Sequence, residues 1–377
     1  MMEEGVMQDK GRSVIVIGAG IIGATAAFQL QSAGAQVTIV DSEAKTATDA
    51  SFGWINASFH QDEAHFRLRA EGIAAWHRLI QHLDLPVVWQ GALCWEETGQ
   101  AFDHQRDHLQ TLGYDVSEIS GDQFARLEPH IAGPPERALH FVKEAAADSP
   151  RVAQTILAAA VQKGARRVRG LWVEGLVEKG GRIIGVRTQG GLLRADQVLI
   201  AAGTGSASLM AKAESPLPML RRPALVLRTR PVPPVLSHVL VSKMGELRQL
   251  SDGTLLMPGA VDHQGDTAET LSASLEDTAS AVLARLGTML PQLALAWQEV
   301  TLAFRPVPQD GLPVIGKVRE GLHVACMHSG ITLAAVAAEL VAQEMLEGVS
   351  NHSGAMLAGY RPGRFGARGG PQAAHPM

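Results

Sequence analysis

The sequence predicts a mixed α/β protein that begins with parallel strands alternating with helices. Three observations carry this: an apolar run that breaks into a glycine-rich turn near the start, a second apolar run closed by an acid, and a glycine-punctuated meander that feeds a further apolar run near residue 200.

Val14-Ile15-Val16-Ile17 is short and wholly apolar, as a strand buried on both faces must be. Gly18-Ala19-Gly20-Ile21-Ile22-Gly23 follows directly, and a helical pattern runs from about Ile21 to Ala33, where Gly34 stops it. Val37-Thr38-Ile39-Val40 reads as the next strand and ends at Asp41. In this context the glycine spacing has a mechanical meaning. Gly18 permits the tight turn, Gly20 lets a pyrophosphate approach the backbone, and Gly23 lets the helix pack closely on the strand. The helix N-terminus offers N–H groups and a positive dipole end to the phosphates. Asp41 can accept hydrogen bonds from a ribose diol and would repel a 2′-phosphate, which disfavours NADP. This is a Rossmann-type dinucleotide site, open at this point to FAD or NAD.

Later segments favour FAD. Leu171–Val177, Ile183–Thr188 and Leu192–Leu193, separated by Gly180-Gly181 and Gly190-Gly191, read as a three-stranded meander. It feeds a core strand at Val198–Gly203, where a plain NAD dehydrogenase would continue with strand–helix alternation. Arg305-Pro306-Val307-Pro308-Gln309-Asp310-Gly311-Leu312-Pro313-Val314-Ile315-Gly316 comes next. Cys326-Met327-His328-Ser329-Gly330-Ile331-Thr332 then opens an apolar helix running to about Glu347, with Gly348 as its stop. A helix start after Ser-Gly presents N–H groups to an anion, and a reduced flavin carries negative charge near N1 and the C2 carbonyl.

Composition sets outer limits. The 377 residues allow two or three domains, and 46% hydrophobic with 19% charged residues is a globular balance. Lys plus Arg total 33 against 38 Asp plus Glu, a formal charge of −5, which argues against a nucleic-acid footprint. Two distant cysteines, Cys94 and Cys326, make neither a disulfide framework nor a zinc site, and a reducing cytoplasmic setting is expected. Met1–Gly11 lacks the pattern of a signal peptide, and no apolar run is long enough to span a membrane. No solenoid-like repeat is present. Arg361–Met377, rich in Gly, Pro, Arg and Ala, is expected to be a flexible tail.

With these segments in place, the chain resembles the FAD-dependent amine and amino-acid oxidoreductases grouped with D-amino-acid oxidase, glycine oxidase and sarcosine oxidase. The resemblance covers nearly the whole chain except the tail, and it is most specific at "RPVPQDGLPVIG" and "HSGITLA". Ala50–Phe59 with His65-Phe66-Arg67-Leu68-Arg69 resembles a bacterial subgroup of FAD-dependent oxidoreductases. The resemblance implies a discontinuous FAD-binding domain over residues 1–85, 145–220 and 300–360. It also implies a substrate domain with an antiparallel sheet over 86–144 and 221–299, the chain crossing near Leu220–Pro223. Within the substrate domain, Val239–Leu250 and Thr254–Pro258 read as strands and Thr270–Leu290 as a helix.

The same resemblance assigns residues. Gly18, Gly20 and Gly23 would contact the pyrophosphate and Asp41 the ribose; Ser51 and Gly53 would line the phosphate and flavin edge. Val173 would hold the adenine through its backbone, Ala202 and Gly203 would pass under the nucleotide, and Gly330, Ile331 and Thr332 would face flavin N1/O2. Arg305, in the "RP" pair, would bind a substrate carboxylate, for which a guanidinium offers two parallel hydrogen bonds. Thr301–Arg305 has no cysteine where sarcosine oxidases attach FAD, so non-covalent FAD is expected. Met327-His328-Ser329 and Thr204-Gly205 depart from the residues of many relatives at those places.

The implied reaction moves a hydride from the carbon beside the amine nitrogen to flavin N5 and leaves an imine. Arg248 is a second carboxylate anchor, or else a surface strand arginine. His328 either meets flavin or substrate or caps the last helix. Trp54, Asn56 and His60 are candidates to wall the pocket; Trp54 reads more readily as core than as a contact, and Asn56, polar between apolar neighbours, needs a partner. His104 and His108 sit one helical turn apart, but their polar surroundings read as a solvated helix, and no metal site is expected. Cys326 reads as a small buried thiol, Lys243 is a residue for oxygen activation only if it lies over the flavin, and no hydrolase elbow occurs. The expected partners are a small amine or amino-acid substrate and oxygen or another electron acceptor, with no nucleic acid; an oligomer is open. The alternatives are a dehydrogenase passing electrons to a quinone or carrier, a flavin subunit of a larger complex, and an NAD-dependent dehydrogenase.

Overall fold

A strand that is apolar on both faces is stable only with a layer on either side, and Ser13–Ile17 lies inside a six-stranded sheet. The computed structural model describes residues 11–261, 267–271 and 273–366. The order across this sheet is Val314–Arg319, Leu322–Cys326, Gln197–Ile200, Ser13–Ile17, Gln36–Asp41, Arg166–Arg169. All neighbours are parallel except the edge hairpin of 314–319 with 322–326. The helix Ile21–Ser32 packs between Ser149–Gln162 and Gly330–Glu347. Gly34 follows the first helix with φ 89°, and Gly348 ends the last with φ 93°, so both expected stops are left-handed glycine positions.

The meander has strands Val173–Lys179, Arg182–Thr188 and Gly191–Arg194, turning at the two expected glycine pairs. Val198 to Ile200 then pairs beside Ile15 to Ile17, as the core strand should.

The second large layer is an eight-stranded, mostly antiparallel sheet. Its order is Trp297–Pro308, Met219–Thr229, Leu255–Pro258, Gly245–Gln249, Val239–Ser242, Ala92–Cys94, Arg137–Phe141, Val116–Ser120. The stretch read as one strand, 239–250, is a hairpin, because Lys243 and Met244 form a two-residue turn. The helix expected over Thr270–Leu290 is Leu275–Met289, started by the Ser274 side chain, which accepts from the Asp277 N–H. The strand Trp297–Pro308 pairs with Met219–Thr229 along its whole length, so residues 297–308 belong to this sheet.

A flexible tail is expected from residue 361, but residues 361–366 are folded against the core. Arg361 makes a two-point ion pair with the buried carboxylate of Glu344, at 2.6 and 2.7 Å, and Arg364 pairs with Asp310 at 2.7 Å. These contacts fold 361–366 back onto the core; 367–377, like Met1–Lys10, lie outside the described residues. Among the described residues, no helix is long and apolar enough to cross a membrane.

Candidate active site

A cavity of about 550 Å³ lies between the carboxyl ends of the parallel strands and the eight-stranded sheet, where doubly wound folds place their ligands. At one end are Ile17, Gly18, Gly20, Asp41, Trp172, Val173, Ala202 and Gly203; at the other are Glu246, Arg305, Arg69, His328 and Ser329.

The glycine turn is built as its spacing requires. Gly18 has φ 105°, and a Cβ there would lie 2.5 Å from the Ala201 carbonyl oxygen. A Cβ on Gly23 would lie 2.0 Å from the Gly18 oxygen. Gly23 is therefore a packing glycine: it does not line the cavity, although the resemblance assigns it to the pyrophosphate. Gly20 faces the cavity, with only the Thr48 hydroxyl near its missing Cβ. Gly20 supplies no side-chain cap to the helix, and of the first-turn donors the Ile21 N–H reaches Thr48 Oγ1 at 3.1 Å. The remaining first-turn N–H groups have no partner within the helix and are available to phosphate.

Asp41 is more engaged than its sequence position suggests. Its Oδ1 accepts the Glu43 N–H at 2.9 Å, and its Oδ2 accepts from Arg167 Nε and Nη2 at 3.0 and 2.5 Å. An ionised carboxylate has about four lone-pair sites, so room remains for a ribose hydroxyl. Trp172, 56% exposed, stands beside Val173 at this mouth. These features fit a dinucleotide and, continuing towards the second sheet, the ring system of a flavin.

Ser51 and Gly53 line the cavity wall, and Ser51 Oγ accepts the Gly53 N–H at 3.0 Å. Gly53 has φ 82°, and its missing Cβ would meet the Ala147 oxygen at 2.2 Å and Arg248 Nη2 at 2.7 Å. Arg248 is fully buried beneath this loop, donating from Nε to the Phe52 carbonyl at 2.5 Å and from Nη2 to the Ala147 carbonyl at 2.8 Å. It is not a surface arginine, and it does not line the cavity. Burial lowers its pKa to about 9, and its hydrogen bonds tie the antiparallel sheet to the loop at Phe52.

Arg305 reaches the cavity from the strand Trp297–Pro308, opposite Arg222 in register, and is 8% exposed. Glu246 comes from Gly245–Gln249 and is 2% exposed. The pairings Arg248 with Leu256, Leu256 with Arg228, and Arg222 with Arg305 put Glu246 and Arg305 on one face of the sheet, since alternate residues share a face. A buried acid and a buried base thus cover the same cavity.

Opposite this roof, Gly330, Ile331 and Thr332 open the helix Gly330–Glu347, preceded by His328 and Ser329. Ser329 holds a left-handed backbone, φ 57°, uncommon for a residue with a Cβ. His328 Nδ1 and Ser329 Oγ are 3.5 Å apart. Asn56 finds its partner in Arg69, which donates to the Asn56 carbonyl at 3.1 Å and to Asn56 Oδ1 at 2.5 Å. Asn56 lines the cavity, and Trp54 is both buried core and lining; His60 does not line it, its Nε2 lying 3.1 Å from His108 Nε2. His104 and His108 are stacked and exposed on the helix Gly99–Thr111. Among the described residues, no group of three or more His, Cys, Asp or Glu side chains could hold a metal ion. Lys243 is exposed in its hairpin turn, away from the cavity. Cys326 is in the wall as a thiol whose burial raises its pKa to about 12.

Sequence reading missed Glu246 and Arg69. Arg69 had a signal: it falls on the apolar stripe Phe66, Ile73, Trp76 of the helix Glu63–Ile80, where a charge is out of place. Glu246 had none, since its role depends on strands distant in sequence.

The model of the family described as FAD dependent oxidoreductase matches residues 13–344. Glycine oxidase of Pseudomonas aeruginosa is 26% identical over 355 residues, covering 88% of this chain and 94% of its own length. The hydrogen cyanide synthase subunit HcnC of the same organism is 26% identical over 382 residues, covering 87% and 91%. The crystal structure of L-proline dehydrogenase from P. horikoshii superposes with a TM-score of 0.82 at 20% identity, covering 95% and 98% of the two chains. Glycine oxidase from Bacillus cereus superposes with a TM-score of 0.79 at 21% identity, covering 90% and 96%. The fold, the glycine turn and these matches agree: the chain belongs to the FAD dependent oxidoreductase (DAO) family.

Proposed function

We propose that this protein oxidises the C–N bond of a small amino acid or related amine that carries a carboxylate, with secondary, cyclic and D-amino acids as the substrate class. The observation that carries the reading is the placement of a buried guanidinium, Arg305, and a buried carboxyl group, Glu246, on the one sheet face that covers the cavity. Such a surface fits a zwitterion: Arg305 takes the carboxylate by two parallel hydrogen bonds, and Glu246 faces the nitrogen. Glu246 accepts a proton from the ammonium, so that the amine reacts neutral. The two anchors fix the carbon that loses hydride, and the apolar sheet around them excludes water. Bound FAD supplies the two-electron acceptor for that hydride.

Gly18, Gly20, Asp41, Ser51, Gly53, Val173, Ala202, Gly203, Gly330, Ile331 and Thr332 are the residues we assign to the cofactor, and all of them line the cavity. His328 stands beside them and is assigned to the flavin or substrate edge. Non-covalent FAD is supported by the state of Cys326, whose thiol proton is held by burial and which is therefore a poor nucleophile. We divide the chain as the resemblance implies, except that residues 297–308 go with the substrate sheet. Two buried free cysteines support a reducing, cytoplasmic setting.

The test is an anaerobic titration of the purified protein, followed by its visible spectrum, with N-methyl, cyclic and D-amino acids and their decarboxylated counterparts. Bleaching of the flavin band by a carboxylated amine is expected. Bleaching by the decarboxylated amines alone would overturn the reading. Oxygen uptake with peroxide release then separates an oxidase from a dehydrogenase, and acid precipitation that leaves a colourless pellet and a yellow supernatant is the result expected for non-covalent FAD.

A further inference from the structure

The roof of the cavity carries a second arginine beside Arg305. Arg222, on the strand Met219–Thr229, is the direct cross-strand partner of Arg305. Residues opposed in this way lie on one face of the sheet with Cβ atoms about 5 Å apart. Ala224, two residues along and therefore on the same face, lines the cavity, as Arg305 does. Arg222 stands next to that lining, at the margin of the roof, and its side chain is only 13% exposed.

Two guanidinium groups side by side and mostly out of water repel each other. Glu246, on the same face, is one carboxylate for two cations. The other acid within reach is Glu269, whose Oε1 lies 3.4 Å from Arg222 Nη1 and whose side chain is 67% exposed. An ion pair of that length and exposure contributes little. Arg222 Nη1 also donates to the Arg221 carbonyl at 3.3 Å. Both contacts use the same nitrogen. Among the described residues, Arg222 Nε and Nη2 donate to nothing, so the edge of the guanidinium that grips a carboxylate by two parallel hydrogen bonds is available.

We propose that the substrate carries two carboxylates and that Arg222 takes the second, with Arg305 on the first and Glu246 on the nitrogen. The inference rests on the roles given to Arg305 and Glu246 under the proposed function and narrows them to a substrate class: amino dicarboxylic acids, or amino acids whose nitrogen bears a carboxyalkyl arm. Charge matching supports it. Arg222, Arg305 and Glu246 together offer one net positive charge, and an amine with two carboxylates brings one net negative charge at neutral pH. A monocarboxylic amino acid, neutral overall, would leave Arg222 without a match. Glu269 stands where the second carboxylate would lie. Being exposed, it returns to water at little cost when the substrate arrives.

Anaerobic flavin reduction in the FAD-loaded protein tests this with isosteric pairs that differ only in the second charge. One pair is D-glutamate and D-glutamine; the other is N-carboxymethylalanine and its mono-amide on the carboxymethyl arm. The quantity read is the ratio, charged member over neutral member, of reduction rate divided by apparent Kd. In the parent protein the charged member of at least one pair should be favoured about 30-fold, the scale of one buried charge-assisted contact. Arg222→Gln should bring that ratio close to one. Arg222→Lys, which keeps the charge without the planar fork, should lower it about fivefold. Damage that is merely structural affects both members of a pair and leaves the ratio where it was. A parent protein that fails to favour the charged member in either pair overturns the proposal, and so does an unmoved ratio in Arg222→Gln. If Arg222→Gln is not recovered with flavin, an unmoved ratio in Arg222→Lys overturns it instead. Flavin bleached by monocarboxylic amines but not preferentially by their dicarboxylic counterparts sinks this inference alone. Flavin bleached by no carboxylated amine sinks the proposed function with it.

Discussion

The two ends of the cavity are built on different plans. The glycine-turn end comes mostly from one short stretch, Ser13–Asp41, with Val173, Ala202 and Gly203 beside it, and there backbone geometry does the work and side chains stay out of the way. The opposite end is assembled from Asn56, Arg69, Glu246, Arg305 and Ser329, five positions on five separate segments, and there buried ionisable and polar side chains do the work. The comparison teaches that a steric site is local and intolerant of added atoms, whereas a charged site is distributed and should respond to substitutions in graded, separable ways.

The largest expected effect belongs to the steric end. Gly23→Val places a branched side chain where even a Cβ would lie 2.0 Å from the Gly18 oxygen. The helix must move off the strand, and the variant should purify without flavin and lose on the order of 3 kcal/mol or more of stability. Visible absorbance and urea unfolding check this; a yellow, equally stable variant would break the distinction between the two ends.

Glu246→Gln sharpens the picture of the other end. It keeps shape and removes the charge assigned to the ammonium. kcat/KM for a zwitterionic amine should fall about 30-fold, the scale of one buried charge-assisted contact, while a simple carboxylate inhibitor binds at least as tightly as before. Equal weakening of substrate and carboxylate would remove Glu246 from the nitrogen side.

A smaller effect concerns the support behind Arg69. Glu144 is buried, and its pKa is raised to about 7 from the ordinary 4.5. A carboxyl raised in the folded state makes folding take up a proton. Its stabilising effect is complete below about pH 4.5 and is lost as the pH climbs through 7. Glu144→Gln cannot ionise, so relative to it the parent protein should lose up to about 3 kcal/mol between pH 5 and pH 8. Urea unfolding at the two pH values measures this. Parallel pH profiles for the two proteins would show that Glu144 is ionised in both states.

Legibility in the sequence follows the same division. The glycine turn, the meander, the strand at Gln197–Ile200 and the last helix with its Gly348 stop were readable because each depends on neighbours within a few residues. Arg305 was readable only through its proline-rich motif. Arg248 shows the limit: its segment was readable as strand, though not as half of a hairpin, but whether its side chain meets solvent, substrate or the Phe52 and Ala147 carbonyls depends on how a distant loop packs against the sheet. The fold of Arg361–Gly366 was likewise hidden, because a Gly- and Pro-rich composition says nothing of ion pairs to Glu344 and Asp310. Glu246 shares a face with Arg305 only once the register of four strands is known.

The most direct test of the central claim is the anaerobic rate of flavin reduction in the parent protein and in Arg305→Ala, each with a carboxylated amine that bleaches the parent and with the corresponding carboxamide. Loss of the guanidinium should raise the apparent Kd for the carboxylated amine about 100-fold, leave FAD bound, and abolish the parent's preference for carboxylate over carboxamide. A variant that keeps that preference and affinity would contradict the account, because the carboxylate would then be held somewhere other than at Arg305.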